Sequence, residues 1–448
     1  MSAPVKLRAR VPGTVSAEIA EIGGHRAVVI RSDGSERQGA LAQTDGETIA
    51  IAARAALQER LPFVGFLASS GADVHEGMAA LHGWGVAARA MVDCSGVVPT
   101  ILVTTGPAVS GPALLLGIAD LVVMTADAYA FVSGPRMVRA FTGVPITSAD
   151  LGGPGVHARQ SGVASVVVPD TDAASAVIAD LLAFLPPNND DEPPLMRVDD
   201  PADRAVPEVA GILPRSSTGS YDVREVIECV TDEASFLEIR PGWAANLVTG
   251  FASLGGRPVG IVANQPMTVA GTLDIPASQK GARFVAFCDA FNLPLVTFVD
   301  TPGFYPGKDL EWRGMIRKGA QLAFAYARAS VPRVSVTLRK SYGGAYIVMD
   351  SRRMGSDVAL AWPSAEIAVM GARGAVEILH RRSDPTERPS LERDYEELYL
   401  NPYVAAGRGL VDAVIEPADT RAELCAAMAA LCTKRERLAP RAHDNQPL

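Results

Sequence analysis

Two kinds of hydrophobic segment alternate along the chain. Short runs rich in β-branched residues predict buried strands, because such side chains pack well on a pleated surface. These runs lie at residues 98–104, 121–124 and 331–337. Longer alanine-rich segments predict helices, and they lie at residues 47–60, 319–330 and 422–435. The alternation of strands and helices predicts an α/β fold built in layers.

The hydrophobic pattern occurs twice. The segment 61–71, LPFVGFLASSG, returns as 293–303, LPLVTFVDTPG, at an offset of 232 residues. A second pair of segments, 98–111 and 331–344, keeps nearly the same spacing, at an offset of 233, and each ends in small residues before a helix. A preserved order of strand, turn and strand predicts two copies of one fold. A site formed from two such copies could serve two ligands.

A proline-rich and acidic segment separates the two copies. Residues 185–194 read LPPNNDDEPP, and the chain stays polar to about residue 220, as is typical of a connector between domains. We therefore expect an N-terminal domain over residues 1–190, a linker over 191–220 and a C-terminal domain over 221–448.

Composition and charge narrow the class of protein. The 448 residues are 48% hydrophobic and 20% charged, which is typical of a globular chain with a sizeable core. The net charge of -9 argues against nucleic acid as a partner. The charged start lacks the apolar core of a signal peptide, and the most apolar run, residues 112–124, is too short to span a membrane. We expect a cytoplasmic protein that does not bind membranes.

The cysteines indicate neither a metal site nor a disulfide framework. Five cysteines occur, and no two of them form a C-x-x-C pair. We expect free and largely buried thiols, and no metal ion.

Two glycine-containing turns are the candidate sites for chemistry. The run RKSYGGAY at 339–346 follows a predicted strand and precedes a predicted helix. Backbone N–H groups at such a helix start can stabilise a developing oxyanion, although paired glycines also serve tight strand-to-helix packing alone. The run DTPGFYPG at 300–307 could form the second wall of this site, or an ordinary loop.

These motifs resemble the carboxyltransferase β subunit of biotin-dependent acyl-CoA carboxylases, which include the propionyl-CoA and acetyl-CoA enzymes. The resemblance is dense over residues 221–424 and looser over 61–164. The motifs that carry it are VANQP at 262–266, FVDTPGF at 298–304, RKSYGGAY at 339–346, AWPSAE at 361–366, VMGA at 369–372, NPYVAA at 401–406, SGA at 70–72, SGVVP at 95–99 and SGP at 133–135.

The resemblance implies a fold, a reaction and partners. It implies two tandem crotonase-like domains of the ClpP/crotonase superfamily, with acyl-CoA on the N-terminal domain and carboxybiotin on the C-terminal domain of a facing subunit. It implies a homo-oligomer, typically a hexamer, that works with separate biotin carboxylase and biotin carrier polypeptides. CO2 passes from carboxybiotin to the carbon next to the thioester carbonyl, and the biotin ureido anion takes the α-proton. His75 and His157 are therefore expected to be packing or surface residues.

The family's functional residues fall on specific positions of this chain. The backbone amides of Gly344 and Ala345 are the implied oxyanion donors on the biotin side, and Gly111 is the implied donor on the acyl-CoA side. The implied substrate-binding residues are Ser70, Gly71, Ala72, Ser110 and Pro112 in the first copy, and Gly303, Phe304, Tyr346 and Ile347 in the second.

Two positions depart from the family pattern. Pro112 stands where the family usually has alanine after two glycines, and proline has no N–H to donate. Losing one oxyanion donor costs roughly a hundredfold to a thousandfold in rate. Asp73 stands where the family commonly has an arginine that contacts CoA. The acyl-CoA half is therefore either an altered but working site or an impaired one.

Other functions use similar residues. A related decarboxylase or transcarboxylase would use the same site with another CO2 donor or acceptor. A scaffold subunit would keep the biotin side and lose acyl-CoA turnover. A simple crotonase hydratase or isomerase needs a carboxylate pair on the turns, and the sequence shows none there.

Overall fold

The computed structural model describes residues 4–7, 13–214, 216, 218–436, 438–440, 442 and 445–447. The chain divides into two compact units, and we describe each by itself. One unit comprises Met1–Pro194 with Ala290–Asn292, and the other comprises Leu195–Asp289 with Leu293–Leu448. The domain limits expected at residues 190 and 220 stay predictions.

The first unit is built on one mostly parallel sheet. Its strands are β1 Val5–Leu7, β2 Val15–Ile22, β3 His25–Ser32, β4 Phe63–Ser69, β5 Thr100–Val109, β6 Leu121–Thr125, β7 Tyr129–Phe131 and β8 Val166–Val168. Its helices are α1 Gln43–Glu59, α2 Met78–Cys94, α3 Gly111–Ile118, α4 Pro135–Thr142, α5 Ser148–Gly152, α6 Pro154–Val156 and α7 Thr171–Phe184. The sheet order is β1-β2-β3-β4-β5-β6-β8, and β7 pairs with the far half of β5.

The second unit repeats this sheet. Its strands are β9 Leu237–Glu238, β10 Leu247–Leu254, β11 Arg257–Asn264, β12 Leu295–Thr301, β13 Arg333–Tyr342, β14 Val358–Ala361, β15 Glu366–Ala368 and β16 Ala413–Val414. Its helices are α8 Val223–Val230, α9 Ile275–Ala290, α10 Lys308–Trp312, α11 Met315–Arg328, α12 Gly343–Val348, α13 Ala372–Leu379, α14 Arg388–Tyr395, α15 Pro402–Gly407 and α16 Thr420–Leu431. The order is β16-β14-β13-β12-β11-β10-β9, and β15 pairs with β13.

The two sheets match in detail. In each, three antiparallel strands, β1–β3 or β9–β11, precede five strands that pair in parallel. The ladder between β4 and β5 shifts register between Leu67 and Ser69, and the ladder between β12 and β13 shifts between Val299 and Thr301, which lie 232 residues later. The predicted α/β class and internal repeat are therefore confirmed.

Two of the three predicted strands begin later and extend further than expected. The runs predicted at 98–104 and 331–337 form β5 and β13, which begin two residues later and end at Val109 and Tyr342. The additional length pairs with β7 and β15, which hydrophobicity alone does not indicate. This extension carries each strand to the start of a short helix.

The polar segment expected to be a linker contributes to the second core. Val206 and Val209 are fully buried, and a 3-10 turn spans Pro207–Gly211. The Val206 N–H donates to the Ala418 carbonyl at 2.9 Å. Two apolar side chains in a polar stretch are enough to tie this part of the segment to the second unit.

All five cysteines are free, and Cys94, Cys288 and Cys425 are buried. Among the residues that the structure describes, no group of three or more His, Cys, Asp or Glu side chains is placed to hold a metal ion. Within the same residues, no helix has the length and apolar character needed to cross a membrane.

Candidate active site

In the first unit, the turn after β4 lies against the start of α3. Gly71 has a φ of +118°, and a Cβ at this position would lie 3.5 Å from the Val109 carbonyl oxygen and 3.8 Å from the Ser110 Cβ. The Gly71 N–H donates to the Ser69 hydroxyl at 3.2 Å. Ala72 is bridged to Leu41 in parallel, which fixes the outer side of the turn. The structure thus brings the predicted residues of both turns together.

The start of α3 offers few free N–H groups. Ser110 has a φ of +61°, and its N–H donates to the Phe131 carbonyl at 2.9 Å. Pro112 follows Gly111 in the first turn and has no N–H, while the Ala113 N–H donates to Ser110 at 3.1 Å. The first N–H groups of a helix have no partner within it. Gly111 is therefore the donor that this end of α3 presents.

A tryptophan packs directly on Gly111. A Cβ at Gly111 would lie 2.7 Å from Trp84 Cδ1 and 2.8 Å from its Nε1. Trp84 Nε1 is itself buried and has no hydrogen-bond partner among the described residues. Only glycine fits at position 111, because any side chain would displace either the indole or the turn.

The second unit has an equivalent turn after β12. Gly303 has a φ of +142°, its N–H donates to the Thr301 hydroxyl at 3.3 Å, and no atom lies within 4 Å of a Cβ built there. Phe304 is bridged to Leu273 in parallel. Gly303 therefore presents an open backbone edge.

The start of α12 borders an apolar pocket. Gly343 has a φ of +58°, and a Cβ at Gly344 would meet the Phe304 ring at an ordinary 3.6 Å. The pocket has a volume of about 530 Å³ and is lined by Phe304, Glu311, Met315, Ile316, Gly319, Ala320, Gly344, Ile347 and Val348. Three predicted site residues, Phe304, Gly344 and Ile347, thus share one cavity.

Two other predicted residues are placed differently. Ala345 is fully buried at the start of α12, so its contribution to a site would come from its backbone. Tyr346 packs against a small hydrophobic cluster that includes Ile367 and Val411, and its hydroxyl lies 3.5 Å from the Leu410 carbonyl. Its ring is not among the residues that line the pocket. The substrate-binding role of Tyr346 stays a prediction.

A buried charged network supports the second turn. The Arg339 Nε donates to the Asp300 carboxylate at 3.0 Å, and the Tyr221 hydroxyl donates to the same oxygen at 2.9 Å. The Lys340 N–H donates to the other oxygen at 3.1 Å. Burial raises the pKa of Asp300, while the Arg339 charge and these hydrogen bonds oppose the rise. The network fixes the carboxyl end of β12, from which the Gly303 turn begins.

The histidines have structural surroundings. The two ring nitrogens of His157 lie 2.8 Å from the Ala130 carbonyl and 2.7 Å from the Ser161 hydroxyl. His75 is exposed, and its backbone N–H donates to the Asp73 carboxylate at 3.0 Å. These contacts agree with the expected packing and surface roles.

Sequence reasoning missed three features around these turns. It did not identify the contact of Trp84 with Gly111, the network of Asp300 with Tyr221, or an ion pair between Arg37 and Asp73. No signal in the sequence indicates the last, because Arg37 and Asp73 are 36 residues apart.

The arrangement suits stabilisation of negative charge on oxygen. Each unit ends a central strand at a glycine turn, starts a short helix with small residues there, and leaves backbone N–H groups without helical partners. Such preorganised donors stabilise an enolate or a similar oxyanion. Each unit therefore has the elements of one oxyanion site.

Comparisons with known proteins agree with this geometry. The carboxyl transferase domain model matches residues 6–446. The propionyl-CoA carboxylase beta chain of Saccharopolyspora erythraea is 43% identical over 446 residues, covering 95% of this chain and 82% of that protein. The methylmalonyl-CoA carboxyltransferase 12S subunit of Propionibacterium freudenreichii subsp. shermanii is 42% identical over 415 residues, covering 91% of this chain and 79% of that protein.

A solved structure extends the match to three dimensions. The transcarboxylase 12S crystal structure with methylmalonyl-coenzyme A and methylmalonic acid bound has a TM-score of 0.95 and 41% identity, covering 97% of this chain and 85% of that chain. The crotonase-like fold expected for both units is thereby confirmed. Because the family model and the relatives cover nearly the whole chain, the protein belongs to the carboxyl transferase family.

Proposed function

We propose that this chain is the carboxyltransferase subunit of a biotin-dependent acyl-CoA carboxylase. It transfers CO2 from carboxybiotin to the α carbon of a short acyl-CoA such as acetyl- or propionyl-CoA. Its relatives are propionyl-CoA carboxylase beta chains and a methylmalonyl-CoA carboxyltransferase subunit. The observation that carries the proposal is the pair of equivalent glycine turns, one per unit, because the reaction develops negative charge on two oxygens.

The partners follow from the same reaction. Biotin arrives on a biotin carrier polypeptide and is carboxylated by a biotin carboxylase. The related transcarboxylase 12S is described as a hexamer and as a multienzyme core. A homo-oligomer of this kind is the assembly that we propose here, and the cytoplasmic location stays a prediction.

The second unit fits the biotin group. Its pocket is mostly apolar, which suits the thioether ring of biotin, and Gly344 forms part of the wall. The open edge at Gly303 leaves room for a ligand beside the backbone. Gly344 and Ala345 would hold the ureido oxygen through their N–H groups, and Phe304 and Ile347 would contact the rings. When bound, carboxybiotin would supply the CO2. The biotin that remains after CO2 leaves would supply the base for the α-proton.

The first unit would hold the thioester. Gly111 would donate its N–H to the carbonyl oxygen as the enolate develops, and Ala72 would provide the second amide, because the Gly71 N–H already donates to the Ser69 hydroxyl. The backbone bonds of Ser110 with Phe131 and of Leu41 with Gly71 and Asp73 fix these turns before reaction, so little reorganisation is needed. No side-chain base is required, which agrees with the structural surroundings of His75 and His157.

The proposal is tested by reconstitution. The chain is mixed with biotin carboxylase, biotin carrier, ATP, labelled bicarbonate and propionyl-CoA or acetyl-CoA, and acid-stable label in the acyl-CoA is measured. We expect label that depends on both the carrier and this chain. Omission of the carrier is the control.

Two results would support a different function. Loss of CO2 from methylmalonyl-CoA, without labelling in the forward direction, would identify a decarboxylase. Calorimetry that detects no acyl-CoA binding to the purified oligomer would identify a scaffold subunit with an impaired first unit.

A further inference from the structure

A left-handed turn runs beside the predicted acyl-CoA turn of the first unit. Arg37, Gln38 and Gly39 have φ values of +45°, +56° and +68°. The Ser70 N–H donates to the Gln38 carbonyl at 3.0 Å, and the Leu41 N–H donates to the Gly71 carbonyl at 2.8 Å. Two successive non-glycine residues in this region are unfavourable, so these bonds hold the turn in place.

The second unit contains the same turn with nearly the same φ angles. Val269, Ala270 and Gly271 have φ values of +41°, +57° and +72°. The Leu273 N–H donates to the Gly303 carbonyl at 3.1 Å, as Leu41 does in the first unit. Each residue lies 232 positions after its counterpart. The backbone therefore provides an internal control for what the side chains do.

The side chains at the two turns differ in charge. In the first unit, Arg37 Nη1 forms an ion pair with the Asp73 carboxylate. Their counterparts in the second unit are Val269 and Tyr305, which are exposed and carry no charge. The ion pair is therefore not needed to form the turn, and it points to a role specific to the first unit.

The geometry of the ion pair orients an exposed cation. The Asp73 side chain is 2% exposed, whereas the Arg37 side chain is 58% exposed. Asp73 also accepts the His75 N–H at 3.0 Å. Among the described residues, the Arg37 guanidinium has no other side-chain partner, so most of its donors are available to a ligand. A buried carboxylate thus anchors an arginine beside the Gly71 turn.

We infer that Arg37 binds a phosphate group of the acyl-CoA. This inference rests on the proposed function, which places the thioester at the Gly71 and Gly111 turns. The pantetheine arm of CoA is uncharged, and its nucleotide phosphates carry the permanent negative charge of the substrate. Arginine donors match phosphate oxygens well. The equivalent position in the second unit is Val269, so this cationic contact is present only in the first unit.

The direct test is equilibrium binding to the full-length oligomer. Calorimetry compares propionyl-CoA, propionyl-dephospho-CoA and propionyl-pantetheine on the parent and on Arg37→Met. The matched control is Arg89→Met, because Arg89 forms an exposed ion pair with Asp93 on α2. We expect R37M to bind propionyl-CoA about tenfold more weakly, the fold-change of one charge-assisted contact, and R89M to bind as the parent does.

The analogues distinguish the sources of charge. On propionyl-pantetheine, R37M and the parent should bind equally. If R37M and the parent bind propionyl-dephospho-CoA equally, Arg37 contacts the 3′-phosphate. If R37M still binds this analogue more weakly, Arg37 contacts the diphosphate. Methylmalonyl-pantetheine carries the product carboxylate but no phosphate. If R37M loses affinity for this analogue alone, the phosphate assignment is overturned.

A second variant separates loss of the phosphate contact from disruption of the turn. Because R37M leaves Asp73 buried without its cation, the double variant Arg37→Met with Asp73→Asn is measured alongside it, with thermal midpoints for both. The same selective loss in the double variant supports the inference. Equal binding of propionyl-CoA by R37M and the parent, or equal losses for all analogues, would overturn it. A parent that binds propionyl-CoA poorly would instead contradict the proposed function.

Discussion

The ends of β4 and β12 have the same backbone but different support. In the second unit, Asp300 and Arg339 form a buried ion pair behind the Gly303 turn. The counterparts in the first unit are Ala68 and Gly106, which are small and uncharged. There, the Ser32 hydroxyl donates to the Ala68 carbonyl at 3.1 Å and accepts the Ala68 N–H at 2.6 Å. One backbone geometry is thus supported by two kinds of interaction.

The helix starts differ as well. Ala345 retains an N–H where Pro112 has none, and Gly344 borders an apolar pocket where Gly111 contacts Trp84. Ile316, which lines that pocket, lies 232 residues after Trp84. The repeat therefore preserves the turns, while the side chains around them differ between the two units.

The largest expected effect is loss of the second unit's network. Asp300→Ala removes the carboxylate that pairs with the Arg339 guanidinium, whose side chain is only 7% exposed. We expect a loss of about 3–5 kcal/mol in the free energy of unfolding of this unit, measured by chemical denaturation. The control is Glu377→Ala, which breaks an exposed pair with Arg373 and should cost less than about 1 kcal/mol. Equal losses would show that the network adds no stability.

The next effect concerns the contact with Trp84. Gly111→Ala would place a Cβ 2.7 Å from the indole, so the turn must move. A displacement of this size near the reacting atoms can lower kcat by about a hundredfold, measured as biotin-dependent conversion of methylmalonyl-CoA to propionyl-CoA. Gly344→Ala, with its nearest contact at 3.6 Å, should lose far less. If the two variants lose the same activity, the indole does not constrain the first turn.

A smaller effect tests the missing donor. Pro112→Ala restores an N–H at the start of α3, and we expect kcat to rise about tenfold, below the full contribution of an oxyanion donor. The mirror variant Ala345→Pro removes the equivalent N–H and should lower kcat. Unchanged rates in P112A would show that Gly111 and the Gly71 turn already provide a complete site.

The smallest expected effect is a pH dependence confined to the second unit. Lys280 is buried and donates to the carbonyls of Arg240 and Trp243 at 2.9 and 3.0 Å, whereas its counterpart Thr48 is uncharged. Burial lowers the pKa of Lys280 to about 7 from 10.5. The unfolded chain then binds more protons between these values, so stability should rise with pH by about 1 kcal/mol per unit from pH 7.5 to 9. Lys280→Met should flatten this slope in thermal unfolding, and an unchanged slope would contradict it.

Several features were predictable from local sequence. The segments at 61–71 and 293–303 predicted the repeated strands and turns, because hydrophobic periodicity and glycine positions are local properties. The helix start at Gly343 follows from the small residues after β13. The missing donor at Pro112 is a matter of covalent structure alone.

Other features depend on residues that are distant in sequence. Arg37 and Asp73 are 36 residues apart and pair only because the left-handed turn lies beside the Gly71 turn. Tyr346 belongs to a predicted site motif, yet its ring packs against another cluster. A motif specifies which side chains are present, but the helix rotation decides where each one points.

The α/β class, the two copies and the positions of both glycine turns follow from the amino-acid sequence alone. The pairing of Asp300 with Arg339 appears only in the folded chain, as do the contact of Trp84 with Gly111 and the anchoring of Arg37 by Asp73. The physical reason is that strand periodicity and backbone freedom act over a few residues. Burial and ion pairing depend instead on which strand ends the sheet register brings together.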